Sequence, residues 1–302
     1  MLNFQNVTKK FRNDFWEKSF YALDDVSFKI NPGEITGFLG SNGAGKTTSI
    51  KIIMGFIKND SGDIVFDKNL GTSRSDIFSN VGFFPERPFF YPHLTGREFV
   101  TYISTLNGLD RKTISQGIHH WTERMQIAHA IDRKIRGYSK GMLQRLGFAT
   151  TLIKKPKLLI LDEPLAGLDP IGRKEFKDVM IDLHKEGVTI FFSSHIVSDV
   201  EEICSKVVVL EKGRLLYDGR IDNLIENNAE LSYQIKCKNV ESFECNSKEC
   251  VLTKTVGDIW LLEIVGSKKD EYLKKLLNKN IEIISFSPIR PNLEEIVYKI
   301  KK

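Results

Sequence analysis

The chain has 302 residues, a formal net charge of +5, an ordinary share of apolar and charged residues, and four cysteines. That size holds one large domain and a small one, and so mild a charge permits contact with nucleic acid or anionic lipid without demanding either. No run of eighteen apolar residues occurs, and Met1 to Asn6 lack both a basic region and an apolar core, so neither a membrane span nor a signal peptide is expected. Cys204, Cys237, Cys245 and Cys250 form no Cys-x-x-Cys pair, which favours reduced thiols over a zinc site.

In chain order, Leu2 and Phe4 alternate, with Val7 out of their register, and Val26, Phe28 and Ile30 alternate again. Two antiparallel strands fit this pattern, the second stopped by the turn Asn31-Pro32-Gly33. Phe11, Phe15, Trp16, Phe20 and Tyr21 lie in or beside the connection between them. Some belong to a core, and one is free to stack on an adenine ring. Glu34 to Leu39 reads as a buried strand. Gly40-Ser41-Asn42-Gly43-Ala44-Gly45-Lys46-Thr47-Thr48 follows, and then a helix carrying Ile50, Ile52 and Ile53. Strand, glycine loop and helix are the context of a phosphate-binding loop. Its glycines let backbone N–H groups approach an anion, the helix N-terminus adds its unpaired donors, Lys46 neutralises phosphate oxygens, and Thr47 offers a hydroxyl to Mg²⁺.

Ile64 to Phe66 and Val81 to Phe84 read as strands. Pro88-Phe89-Phe90-Tyr91-Pro92 reads as a loop, either packed on its own domain or awaiting a partner. From Thr95 to Lys155 the periodicity is helical. A capping box of Thr95 and Glu98 precedes Phe99, Tyr102, Ile103 and Leu106; Ile114, Ile118, Trp121 and Met125 form a second stripe; a third helix starts near Ser139. This block is expected to be a helical subdomain inserted in an α/β core. Leu158 to Leu161 is a buried strand ending in Asp162 and Glu163, acids that fall beside the phosphate loop if the sheet is parallel. A helix from Pro170 to about Lys185, a strand Val188 to Phe192 ending in Ser193-Ser194-His195, and a hairpin around Lys212-Gly213 complete a domain of residues 1–228. Residues 229–302 read as a small α+β domain with no catalytic constellation: strands over Glu230 to Lys236, Ile259 to Ile264 and Ile281 to Phe286, and helices over Lys268 to Leu277 and along Leu293, Ile296, Val297 and Ile300.

Over residues 2 to 220 the chain resembles the ATP-binding subunit of ABC transporters. Six ordered motifs carry the resemblance: the phosphate loop, the Gln-loop position at Glu86, the signature Tyr138-Ser139-Lys140-Gly141-Met142, the acidic strand Leu158 to Glu163, the D-loop Ala166-Gly167-Leu168-Asp169, and the switch histidine His195. The signature departs from the usual Leu-Ser-Gly-Gly-Gln at Tyr138, Lys140 and Met142, and Glu86 replaces Gln. Both variants, with the added C-terminal domain, look like the branch serving ABC-2-type exporters.

The resemblance implies an α/β P-loop NTPase core with an N-terminal antiparallel β subdomain. It implies ATP and Mg²⁺ as cofactors, with Lys46 and the loop amides from Gly40 to Thr48 on the phosphates. Thr47, Asp162 and Glu86 would serve the metal, Glu163 would activate water, and His195 would sense the γ-phosphate. Phe11 is expected on the adenine, with Tyr21 as the alternative. Ser139 and Gly141 are expected to act in trans on a second copy's ATP, and Asp169 to link the two sites, so that two complete sites require a homodimer. A separate transmembrane permease would hold the chain at the cytoplasmic face of the membrane, and no nucleic acid is expected as partner. The competing readings are a soluble ABC ATPase acting on ribosomes or DNA and a binding module that no longer hydrolyses.

Overall fold

The computed structural model describes residues 1–12, 19–228, 232–238, 240, 243, 245, 250–255, 258–279, 281–289 and 293–300. Phe15, Trp16 and Glu230, singled out from the sequence, lie outside them. Two compact units divide the chain, Met1–Ile221 and Asp222–Lys302.

In the first unit, β1 (Leu2–Phe11) pairs antiparallel with β2 (Phe20–Ile30) on one side and with β4 (Ser61–Phe66) on the other. Val7 is fully buried although it breaks the alternation, because the ladder is irregular between Phe4 and Val7 and Asn6 takes a left-handed φ of 49°. The second sheet contains β3 (Ile35–Gly40), β5 (Val81–Phe84), β6 (Leu158–Leu161), β7 (Thr189–Ser194), β8 (Lys206–Glu211) and β9 (Arg214–Arg220), in the order β5-β6-β7-β3-β8-β9. All its pairings are parallel except the β8–β9 hairpin. Fully buried runs such as Leu158–Leu161 are what a sheet covered on both faces requires.

Between the two sheets Phe28 meets Phe38 and Phe191 at ring-centroid distances of 5.5 and 5.7 Å, and Phe4 stacks on Phe28 at 4.7 Å. Each such ring contributes about 1.5–3 kcal/mol by leaving water. A second aromatic group, Phe84, Phe148 and Phe176, joins β5 to the helices α5 (Lys140–Leu152) and α6 (Pro170–Lys185).

The remaining helices of this unit are α1 (Lys46–Ile53), α2 (Arg74–Ser79), α3 (Gly96–Leu106), α4 (Arg111–Arg124) and α7 (Val197–Ile203). The Thr95–Glu98 capping box starts α3. Its buried side is Phe99, Val100 and Ser104, whereas Tyr102 and Leu106 are 46% and 67% exposed. The apolar face expected from spacing is therefore turned: Tyr102 and Leu106 sit on the flank away from the buried stripe. Phe90 also turns inward, packing on Phe99 at 4.9 Å, while its neighbour Phe89 is 75% exposed. The short helices α2 and α7 carry too few turns to show periodicity, which is why sequence spacing misses them.

The division falls within α8 (Ile221–Asn228), and the second unit holds an antiparallel sheet in the order β11-β12-β10-β13, from β10 (Ser232–Lys238), β11 (Cys250–Lys254), β12 (Trp260–Val265) and β13 (Glu282–Ile289). Helices α9 (Lys269–Asn278) and α10 (Leu293–Ile300) accompany it. Ile235, Leu262, Ile264, Tyr272 and Leu276 form its core. Cys245 and Cys250 are joined as a disulfide across Cα atoms 5.7 Å apart, correcting the expectation of four reduced thiols; Cys204 and Cys237 are free. Strand β11 is what carries Cys250 to within bonding reach of Cys245.

Candidate functional site

The carboxyl ends of β6, β7 and β3 lie side by side, with Leu161 opposite Phe192 and Leu39 opposite Ser194. That adjacency gathers residues far apart in sequence. The loop after β3 turns through Gly43 and Gly45, whose φ values are 81° and 110°. At Gly45 a Cβ would stand 2.6 Å from the Ala22 carbonyl oxygen, so only glycine fits. Gly45 is also the N-cap of α1 and supplies no side chain to its donors. Gly40 and Ala44 are buried beneath the loop, while Asn42 and Gly43 are exposed at its crest.

Lys46 is buried, and its Nζ donates to the carbonyl oxygens of Gly40 at 2.8 Å and Ser41 at 3.3 Å. The same ammonium stands 3.3 Å from Glu163 Oε1. On its other oxygen, Oε2, Glu163 receives His195 Nδ1 at 2.9 Å. Two donors therefore hold the one carboxylate in place. The backbone of Glu163 is left-handed, with φ 49°, a conformation that costs a residue bearing a Cβ about 1 kcal/mol or more.

Asp162 is buried, and Thr47 Oγ1 donates to its Oδ1 at 3.3 Å. Burial pushes the Asp162 carboxyl up from its ordinary value, and the hydroxyls of Ser193 and Thr47 pull it partly back. Ser193, given no role by sequence reasoning, donates to Asp162 Oδ1 at 2.7 Å and accepts the Glu163 N–H at 2.9 Å. The available signal was its position two residues before His195 at a strand end.

A cavity of about 670 Å³ opens over this group. Its lining takes in Ser41 to Gly43, Gly45 to Thr48, Glu163 and His195 at one end and Phe11, Phe20 and Tyr21 at the other, with Glu86, Ala166 and Lys212 completing it. Phe11 and Tyr21, the two candidates for an adenine stack, thus stand at the same cavity, and Phe20 joins them, its ring 6.1 Å from that of Phe11. Glu86 is half exposed at the rim and lies 3.8 Å from Arg87.

Ser139, Gly141 and Asp169 do not line the cavity. Ser139 caps α5 by accepting the Met142 N–H at 3.3 Å, and Asp169 caps α6 by accepting the Gly172 N–H at 2.7 Å. Around Gly141 there is open space: a Cβ there would meet nothing within 4 Å. Tyr138 donates its hydroxyl to the Ala130 carbonyl at 2.6 Å, which accounts for a large residue opening the signature. Lys140 lies over Gly167 so closely that a Cβ on that glycine would fall 2.2 Å from its Nζ.

Among the described residues no group of three or more His, Cys, Asp or Glu side chains forms a metal cage. The oxygens of Thr47 and Asp162 nevertheless fit a hard cation that takes most of its other ligands from phosphate and water. No helix of the described residues is long and apolar enough to cross a membrane.

Comparison with known proteins agrees with this geometry. The family model described as ABC transporter matches residues 23–166. An uncharacterised ABC transporter ATP-binding protein of Synechocystis is 34% identical over 293 residues, 96% of this chain and 81% of that protein. The bacitracin transport ATP-binding protein BcrA of Bacillus licheniformis is 38% identical over 221 residues, 72% of this chain and 71% of its own length. A solved ATP-binding subunit of an ABC transporter superposes with a TM-score of 0.66 at 26% identity, over 75% of this chain and 92% of that one. An ATPase acting on ribosomes or DNA finds no support among them.

Proposed function

This chain belongs to the ABC transporter ATP-binding subunits, and we propose that it drives export of a substrate through a separate membrane subunit. It binds ATP and hydrolyses it. The observation that carries the residue assignment is the convergence of Lys46, Glu163 and His195, with Thr47 and Asp162 beneath, at one cavity lined by the glycine loop.

The aromatic end, Phe11 with Tyr21 as the alternative, receives adenine. The loop amides and Lys46 hold the phosphates. Thr47 and Asp162, with Glu86 swinging in from the rim, would hold Mg²⁺, which supplies neutralising charge to the phosphate oxygens. Glu163 polarises the attacking water. Its carboxylate sits between Lys46 and His195, the two groups assigned to the γ-phosphate anion. An arriving γ-phosphate competes for these two donors and leaves Glu163 free to act on water.

Ser139 and Gly141 present a helix N-terminus to the ATP of a second copy, and Asp169 links the two sites, so the working unit is a dimer of two-fold symmetry. Closure on ATP and opening after hydrolysis form a two-state cycle biased by the γ-phosphate. The membrane subunit contacts the exposed aromatic surface beside Glu86. Phe89 packs on Tyr91 at 5.4 Å and Tyr91 on Tyr102 at 5.9 Å, and the last turn of α3 adds the exposed Leu106. This contact would hold the chain at the cytoplasmic face. Export is favoured over import by the signature variant and by the C-terminal unit.

Pull-down with the tagged chain from detergent-solubilised membranes, followed by phosphate release from MgATP, tests the reading. A co-purifying integral membrane protein that stimulates hydrolysis is expected. An active ATPase recovered instead with ribosomes or DNA would overturn the transport assignment.

A further inference from the structure

Asp162 and Glu163 are consecutive, yet they face different tasks. The first turns down toward Thr47, the second up toward Lys46 and His195. The chain achieves this at a left-handed residue, Glu163, where φ is 49°. Such a backbone persists in a residue with a Cβ only where its surroundings hold it.

The holding group is on the next strand. Ser193 is fully buried, and one hydroxyl serves both acids: it donates to Asp162 Oδ1 at 2.7 Å and accepts the Glu163 backbone N–H at 2.9 Å. We propose that Ser193 is a positioning residue for ATP hydrolysis, its hydroxyl clamping the turn between Asp162 and Glu163 and so fixing where both carboxylates stand. This role rests on the reading of Glu163 as the residue that polarises water. Ser193 lies beneath the cavity and is absent from its lining, so it acts through its two neighbours. Without the hydroxyl, the peptide between the acids loses its acceptor and the Asp162 carboxylate loses its shortest donor, while Lys46 and the loop amides remain where they are. Nucleotide binding and the hydrolytic step should therefore separate.

The test compares the full-length chain with Ser193→Thr, Ser193→Val and Ser193→Ala. Threonine keeps the hydroxyl, and valine keeps threonine's shape without it, so their ratio isolates the oxygen. Phosphate release with MgATP gives kcat and KM, a fluorescent ATP analogue gives affinity, and thermal melting reports folding. The valine and alanine chains are expected to bind nucleotide within about threefold of wild type and to lose roughly 10–100-fold in kcat, while threonine stays within about fivefold. Equal kcat for threonine and valine, wild-type kcat for alanine, or a loss confined to KM would overturn the role. So would a valine chain that neither melts cooperatively nor binds nucleotide, because the hydroxyl would then serve folding alone. A wild-type chain that releases no phosphate overturns the ATPase reading itself, together with the role drawn from it.

Discussion

Two helix N-termini in the first unit offer the same elementary feature and differ in everything around it. At the start of α1, Gly45 leaves the donors without a side-chain cap, and the strand ends of β6 and β7 bring Glu163 and His195 to meet Lys46 over them. At the start of α5, Ser139 caps its own helix, and Gly141 faces open space. Helix dipole and free N–H groups alone do not make a site; the convergence of charge does. The first N-terminus has that convergence within the chain, and the second stands outside the cavity. We propose that each chain holds most of one ATP site and contributes the cap of another.

The strongest way to break this contrast is at Lys46. Lys46→Ala is expected to weaken ATP binding roughly 10–100-fold, since loop amides alone do not offset the phosphate charge. Equilibrium binding of a fluorescent ATP analogue measures it, and unchanged affinity would remove Lys46 from the phosphate site.

Gly141→Asp probes the other N-terminus. A Cβ there meets nothing within 4 Å, so melting temperature and the ATP affinity of the single chain should hold. Hydrolysis should fall at least about tenfold, because a carboxylate would face the partner's γ-phosphate. Phosphate release at wild-type rate would detach the signature from the site.

Glu86 sits at the rim and carries a smaller share. Glu86→Ala should lower Mg²⁺-dependent turnover about tenfold, while Glu86→Gln, which keeps one oxygen, should retain much of it. Titrations of rate against Mg²⁺ that superimpose for wild type and both variants would exclude the metal role.

The smallest effect is expected from the second unit. Removing residues 222–302 should leave nucleotide affinity within about twofold, because no cavity residue lies there. A truncated chain that folds and fails to bind ATP would make the second unit part of the site.

Much of this was legible in the sequence because its signals are local. Gly40 to Thr48 announces itself by glycine spacing between an apolar strand and an apolar helix. Asp162 and Glu163 follow four buried residues of a parallel strand, so their place beside the loop follows from sheet geometry. The helix starts near Ser139 and Pro170 were legible from local pattern, while the caps that Ser139 and Asp169 provide came only from the structure. What escaped depended on tertiary contact. Ser193 acquires its meaning only from the adjacency of β7 and β6. Phe90 and Phe89 are neighbours of similar chemistry, and only the packing of α3 decides which is buried. Tyr102 and Leu106 fit an apolar stripe by spacing, and the position of α3 against its neighbours turned them outward. The Cys245–Cys250 bond depended on the course of β11, a strand with no clear alternation in sequence.

The most direct test of a shared site uses Glu163→Gln, which keeps the shape of the side chain and removes the base. With saturating MgATP this variant should bind nucleotide, hydrolyse it about 10²–10⁴-fold more slowly than wild type, and accumulate in the closed state. Light scattering on the eluting peak should then give twice the chain mass of 34.5 kDa, and the single mass without nucleotide. A peak that stays at 34.5 kDa with ATP bound would contradict the account, since the signature of one chain would then have no second site to cap.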